Sequence, residues 1–392
     1  MTGAAGISTL PPLGPEEGRQ SAAVLQALRT LIIERGGWLP FDDYLRLVLY
    51  GPGLGYYSAG SVKLGRAGDF VTAPELSALF GRALARQCAQ ALELLGGGSV
   101  LELGAGSGAL AATLLPAMQE LHALPDRYEI LETSADLAAR QRERLDRLPP
   151  LLRARLHWRQ RLPDVPLSGV ILANEVADAL PFRRFLVSEQ GFLERGVALT
   201  DGAALMLSDR SADAQLAAEL ERLAPAPWPI GYESELCPLL DGWIAALGGT
   251  LARGAVLLID YGLARHEYYH PQRMHGTLRC FFRHRAHEDA LLYPGLQDIS
   301  AWVDFTRAAE AATDSGLEVS GYCTQAAFLL ANGIEADVAA AHSTLERAQL
   351  AAEARQLLLP GEMGESCKVI ALTRDLKTPL RGFSYQDLRR AL

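Results

Sequence analysis

Cysteine is scarce in this 392-residue sequence: Cys88, Cys237, Cys280, Cys323 and Cys367 lie far apart, are odd in number and form no C-x-x-C pair. That pattern suits reduced, mostly structural thiols in a reducing compartment better than a disulfide framework, with the cytoplasm as the expected location. No apolar run approaches the roughly 18 residues that cross a bilayer, so no stable membrane insertion is expected. Residues 1–20 lack a basic end followed by an apolar stretch, and with Glu16 and Glu17 present and no Arg before Arg19 they do not read as a transit peptide. Positive charge is also in deficit. Lys and Arg number 37 against 46 Asp and Glu, a formal net charge of −9, which argues against a nucleic-acid partner and mildly favours a cationic substrate.

What is present is an ordinary globular composition, 49% hydrophobic and 21% charged, in a chain long enough for a large core. Residues 1–20 are rich in Gly, Pro and small polar side chains and read as a tail. From Ser21, a candidate N-cap, Val24, Leu25, Leu28, Leu31 and Ile32 follow helical spacing up to Gly36 and Gly37. A second helix is expected over 41–50. Thr72 with Glu75 three residues on forms a capping-box pattern predicting one long helix to about Leu95. Residues 21–98 are therefore expected to be a helical region.

After Gly96, Gly97 and Gly98 short apolar strands alternate with helices, the signature of a parallel sheet with crossovers. Strands are expected at 100–103, 128–131, 170–173, 255–259, 317–322 and 368–372, and helices at 109–119, 134–145, 236–251 and 302–312. Residues 99–374 thus read as an α/β domain with insertions near 183–232, where Glu189, Gln190 and Gly191 give a hairpin signal, and near 262–300, expected as loop. Residues 375–392 read as a C-terminal tail.

The run Leu101 to Gly108 lies between an expected strand and an expected helix. Glycines at 104, 106 and 108 let the backbone turn sharply and bring helix N-terminal amides toward a nucleotide-like ligand. Glu132 ends the next strand, where a carboxylate can accept hydrogen bonds from both ribose hydroxyls. Gly104, Gly106 and Ala109 also satisfy the degenerate dinucleotide pattern G-x-G-x-x-A, so a nicotinamide-dependent oxidoreductase stands as an alternative. Glu102 and the third glycine favour S-adenosylmethionine, because a carboxylate there would face the cationic methionine end and repel a pyrophosphate.

Other signals point less far. His266 to His270 match H-E-x-x-H, but Pro271 biases His270 away from helical geometry, so no metal site is expected. Tyr56, Tyr57, Phe70 and Phe80 read either as a cofactor roof or as core. Arg183 and Arg184 read as a solvated edge.

Several blocks together carry a resemblance: Tyr50-Gly-Pro-Gly-Leu-Gly-Tyr-Tyr57, Gly68-Asp-Phe-Val-Thr-Ala-Pro-Glu-Leu-Ser77, Leu101 to Gly108, Asn174-Glu-Val-Ala-Asp-Ala-Leu-Pro181, Ile259-Asp-Tyr-Gly262 and Met363-Gly-Glu365. Over residues 38–373 the chain resembles the MidA-like family of class I S-adenosylmethionine-dependent methyltransferases, whose mitochondrial members are arginine methyltransferases assisting respiratory complex I assembly. Ser300, Cys367, Val176 and Ala177 depart from the family pattern without removing a chemical group. The resemblance implies a Rossmann-like, mostly parallel sheet with an antiparallel last strand. It implies cofactor contacts at Glu102, Gly104, Ala105, Gly106, Gly108, Glu132 and Asp69, and Asn174, Glu175 and Asp178 at the reacting centre. The implied partner is a protein with an accessible arginine, with a respiratory NADH dehydrogenase subunit as candidate, and a homodimer is compatible. Carboxylates suit that chemistry because they bind a guanidinium bidentately and orient one nitrogen. The remaining alternatives are a turn-capping role for Glu175 and Asp178, and for Asp260, and an assembly factor that binds the cofactor with little catalysis.

Overall fold

The computed structural model describes residues 10–58, 72–223 and 227–392. Its central sheet contains β1 (Ser99–Leu103), β2 (Tyr128–Leu131), β3 (Leu156–Arg159), β4 (Leu167–Asn174), β5 (Leu251–Leu263), β6 (Glu318–Thr324) and β7 (Cys367–Arg374). Their order is β6-β7-β5-β4-β1-β2-β3, with Val303–Asp304 added beside the end of β5. Strands β1 to β5 pair in parallel, and β7 runs antiparallel between β5 and β6. This is the expected Rossmann-like methyltransferase sheet. Chain order reverses between β1 and β4, which opens the crevice where such sheets bind ligands.

Strands β4 and β5 are apolar on both faces because helices cover both. Val100, Val170, Leu172 and Leu257 join one core with α4 (Ala78–Leu95) and α5 (Ala109–Glu120). Leu101, Ile171, Ala173 and Leu258 join the other, against helices Leu239–Thr250 and Phe305–Asp314.

The N-terminal region departs from expectation. Helix α1 (Pro15–Glu34) begins inside the segment read as a tail, and Ser21 is a buried residue within it. The Glu17 carboxylate accepts from the Gly14 N–H at 2.7 Å, which closes the start earlier. The expected long helix over 72–95 is two helices, α3 (Ala73–Leu76) and α4, because Ser77 accepts from the Leu79 N–H and caps α4. Helix α2 (Phe41–Tyr50) is as expected.

Trp38–Pro40 pairs antiparallel with Gly191–Leu199, which pairs with Arg183–Ser188 across the Glu189-Gln190 turn. The N-terminal helices and the insertions therefore share one core, in which Val24, Tyr44 and Leu45 meet Phe182, Val197 and Ile299. Arg183 and Arg184 are not a solvated edge. Arg183 grips both oxygens of Glu194 at 2.6 and 2.7 Å, while Arg184 is buried with its guanidinium 5.2 Å from the Phe41 ring centroid, because the strand carrying them has neighbours on both sides.

The stretch expected as loop over 262–300 carries a one-turn helix, Arg265–Tyr268, and a three-stranded sheet. Residues beyond β7 pack rather than trail: Leu380 and Phe383 are buried and the Leu388 N–H donates to Tyr322 O at 2.6 Å.

Candidate active site

The turn after β1 depends on its glycines. Gly104, Gly106 and Gly108 have φ of 59°, 55° and 82°, and a Cβ on Gly104 would lie 3.1 Å from the Val176 side chain, so a side chain there would strain the backbone and press on the loop after β4. Between them opens a cavity of about 380 Å³, within the roughly 300–1,000 Å³ typical of small-ligand sites. Its lining includes Glu102, Gly104, Ala105, Gly106 and Ser107 from the first strand and turn, Glu132 from the next strand end, and Asn174 and Glu175 from β4 and the residue after it. Gly108 is not part of the lining; it is the N-cap of α5. Asp69 lies outside the described residues.

Two of the acids in this lining, Glu102 and Glu132, are already hydrogen-bonded by neutral groups. The Tyr128 hydroxyl donates to Glu102 Oε2 at 2.7 Å, and burial pushes the Glu102 carboxyl up to about 7. Glu132 accepts from the Ser134 N–H at 2.8 Å and from Gln141 Nε2 at 2.9 Å. Gln141 Nε2 also donates to Gly106 O at 3.0 Å, and its Oε1 accepts from Trp158 Nε1 at 3.0 Å. This fully buried side chain ties the glycine turn to the strand-end acid.

The loop after β4 is built differently. Glu175 has φ 52°, an uncommon conformation for a residue with a side chain, and its N–H donates to Ile259 O at 2.9 Å. Buried Asp260 on β5 fixes the rest: Oδ2 accepts from the N–H groups of Val176, Ala177 and Asp178 at 3.2, 2.9 and 3.2 Å. Asp260 is thus the turn cap, which leaves Glu175 for the cavity. Glu175 Oε1 accepts from Asn174 Nδ2 at 3.1 Å and from the Ala73 N–H at 3.3 Å. Burial and the Asp178 charge push Glu175 up to about 8. Asn174 Oδ1 is buried with no hydrogen-bond partner among the described residues.

Asp178, expected at the reacting centre beside Glu175, is not part of the cavity lining. It lines a neighbouring void of about 20 Å³ with Leu180, Phe182 and Glu235. Burial, then Asp260 and Asp298, raises its pKa well above the carboxylate range. Among the described residues, Glu175, Asp178 and Asp260 form no ion pair with Lys or Arg. This end of the site holds buried acid without a described cation.

The aromatic alternatives divide. Tyr57 lines the cavity, stacked on Tyr50 with centroids 5.4 Å apart, and its hydroxyl donates to Asp298 Oδ1 at 2.6 Å. Tyr56 and Phe80 are core, and Phe70 lies outside the described residues. The H-E-x-x-H run does not lie on one helix: the single turn Arg265–Tyr268 ends before His270. No group of three acidic, His or Cys side chains among the described residues could hold an ion. Sequence reasoning missed Gln141, whose signal was a polar residue on the buried Ala138-Gln141-Leu145 face of α6 (Ala135–Leu145). It also misassigned Glu75, which lines the cavity instead of capping a helix.

Residues 83–323 match the model of a family described as S-adenosyl-L-methionine-dependent methyltransferases, Methyltransf_28. A solved Burkholderia thailandensis protein bound to S-adenosyl-homocysteine is 43% identical, with a TM-score of 0.94 over 98% of this chain and 100% of its own. A Danio rerio relative, "Protein arginine methyltransferase NDUFAF7, mitochondrial", is 29% identical over 88% of this chain and 85% of its own. The Homo sapiens protein of that name is 27% identical, covering 90% and 84%. The mitochondrial naming of these relatives conflicts with the expected cytoplasmic location and overturns it. Free thiols at all five cysteines are compatible with a reducing environment and give no cellular address.

Proposed function

The chain belongs to the S-adenosyl-L-methionine-dependent methyltransferase family, and on that premise we propose that it methylates an arginine side chain of a protein substrate. The cavity fits the cofactor in size and in a turn whose glycines leave room for close approach of a ligand. When bound, S-adenosylmethionine supplies an electrophilic methyl group. In this reading Gly104, Ala105 and Gly106 hold the cofactor by backbone, Glu132 accepts from the ribose hydroxyls, and Glu102 faces the cationic methionine end.

The observation that carries the arginine assignment is the buried acid around Glu175 with no described basic partner. A guanidinium is cationic, planar and a poor nucleophile, so an acceptor site must fix one nitrogen and hold the delocalised charge away from it. Glu175 binds the guanidinium and Asn174 Oδ1 accepts one of its N–H groups, while Asp178, buried and raised in pKa behind the lining, adds to the pressure that a bound cation relieves. Because burial places Glu175 near 8, it can also take the proton that the nitrogen loses when its bond to carbon forms. The names of the relatives support an arginine acceptor, and the family resemblance extends this to a subunit of respiratory NADH dehydrogenase.

The test is mass spectrometry of arginine methylation in cells with and without the protein, beginning with the NADH dehydrogenase subunits. Loss of a methyl mark from one subunit is expected. An unchanged methylarginine profile would overturn the acceptor.

A further inference from the structure

Helix α3 touches both ends of the site, although it is only four residues long. At its start the Ala73 N–H donates to Glu175 Oε1. Within the same turn the Glu75 carboxylate accepts from Arg144 Nη1 at 2.7 Å and Nη2 at 3.2 Å, and from the Ser107 hydroxyl of the glycine turn. Arg144 also donates to Ser107 Oγ. Thr72, Pro74 and Glu75 form part of the cavity lining.

None of these bonds is needed to make a helix. The α3 turn is closed by its own backbone, with the Glu75 and Leu76 N–H groups donating to Thr72 O, and Arg144 is on α6, 69 residues away in sequence. The ion pair is open to solvent on one side, Arg144 being 38% and Glu75 13% exposed. Burial alone would raise the Glu75 pKa, but its bonds to Arg144 and Ser107 prevail and lower it, so Glu75 stays ionised. A partly exposed pair of this kind contributes modestly and is screened by salt.

We propose that Glu75, gripped by Arg144 and Ser107, is a positioning residue that clasps α3 over the bound cofactor and sets how long the demethylated product, S-adenosyl-homocysteine, stays. Through the Ala73 N–H the same closure holds Glu175 in place for the acceptor. The inference rests on the cofactor reading of the cavity and not on the arginine assignment.

The experiment measures the dissociation rate of S-adenosyl-homocysteine from the full chain by stopped-flow displacement. Glu75→Gln and Arg144→Ala are each expected to speed release about tenfold, since changes of this kind act mainly on dissociation. Arg144→Lys should recover part of the loss. Raising salt from about 50 mM to about 500 mM should speed release from the wild type and leave Glu75→Gln unchanged, because exposed ion pairs are screened. A general loss of packing would not remove salt sensitivity, so this second readout separates the clasp from misfolding. Unchanged release in Glu75→Gln, or equal salt sensitivity in both proteins, overturns the proposal. No acceptor is present in the assay, so either result leaves the arginine assignment where it stood.

Discussion

The two ends of the cavity solve opposite problems. At the cofactor end every acid is partnered by the protein: Tyr128 serves Glu102, Ser134 and Gln141 serve Glu132, and Arg144 with Ser107 serves Glu75. At the acceptor end Glu175 occupies an uncommon backbone conformation, Asn174 keeps a buried oxygen without a described partner, and Asp178 and Asp260 are buried carboxyls, raised in pKa, with no described ion pair. The first end is complete before its ligand arrives. On the proposed reading the second is completed by a cation, which favours the ionised form of carboxyls that burial otherwise holds protonated.

The largest effect that could break this contrast comes from Glu175→Gln. Its shape and its bonds from Asn174 and Ala73 can persist while the charge is gone, so kcat should fall about 100-fold or more, as when a charge-stabilising group is removed, with S-adenosyl-homocysteine affinity little changed. Equal losses in both measurements would make Glu175 a structural residue. Asp260→Ala removes the acceptor of three backbone N–H groups and should lower stability by about 2 kcal/mol in urea unfolding. If it reduced activity while leaving stability intact, the division between cap and acceptor acid would be wrong.

The contrast sharpens with pH. Glu175 near 8 must be ionised to bind a guanidinium, so kcat/KM for the acceptor should rise as pH rises, by about tenfold between pH 7 and pH 9. Glu175→Gln should flatten that limb. The smallest effect is expected from Gln141→Leu, which frees the glycine turn from Glu132. Cofactor Kd measured by calorimetry should rise about fivefold with kcat nearly constant, a loss of uniform binding.

The parallel sheet and the cofactor turn were legible in the sequence because β strands buried on both faces read as continuous apolar runs and a turn with positive φ at alternate residues leaves a glycine pattern. The 128–131 strand matches residue for residue. The acceptor end was legible only through the family resemblance, and even there Asp178 lies behind the lining. Its organisation comes from Asp260, 85 residues after Glu175 along the chain, and no local pattern announces a long-range cap. The same holds for Glu75: the Thr72-to-Glu75 spacing satisfies a capping box, but Ser77 caps α4 and Arg144 captures the carboxylate. Trp38–Pro40 was missed because its pairing partner, Gly191–Leu199, lies in an insertion.

The central claim is that the acceptor end selects a guanidinium. The most direct measurement supplies the protein with methyl-labelled S-adenosylmethionine and an extract of cells lacking it, hydrolyses the labelled protein and resolves the amino acids. The account predicts label in methylarginine, absent when Glu175→Gln replaces the wild type. Label in methyllysine or another residue, or methylarginine formed equally by the variant, would contradict it.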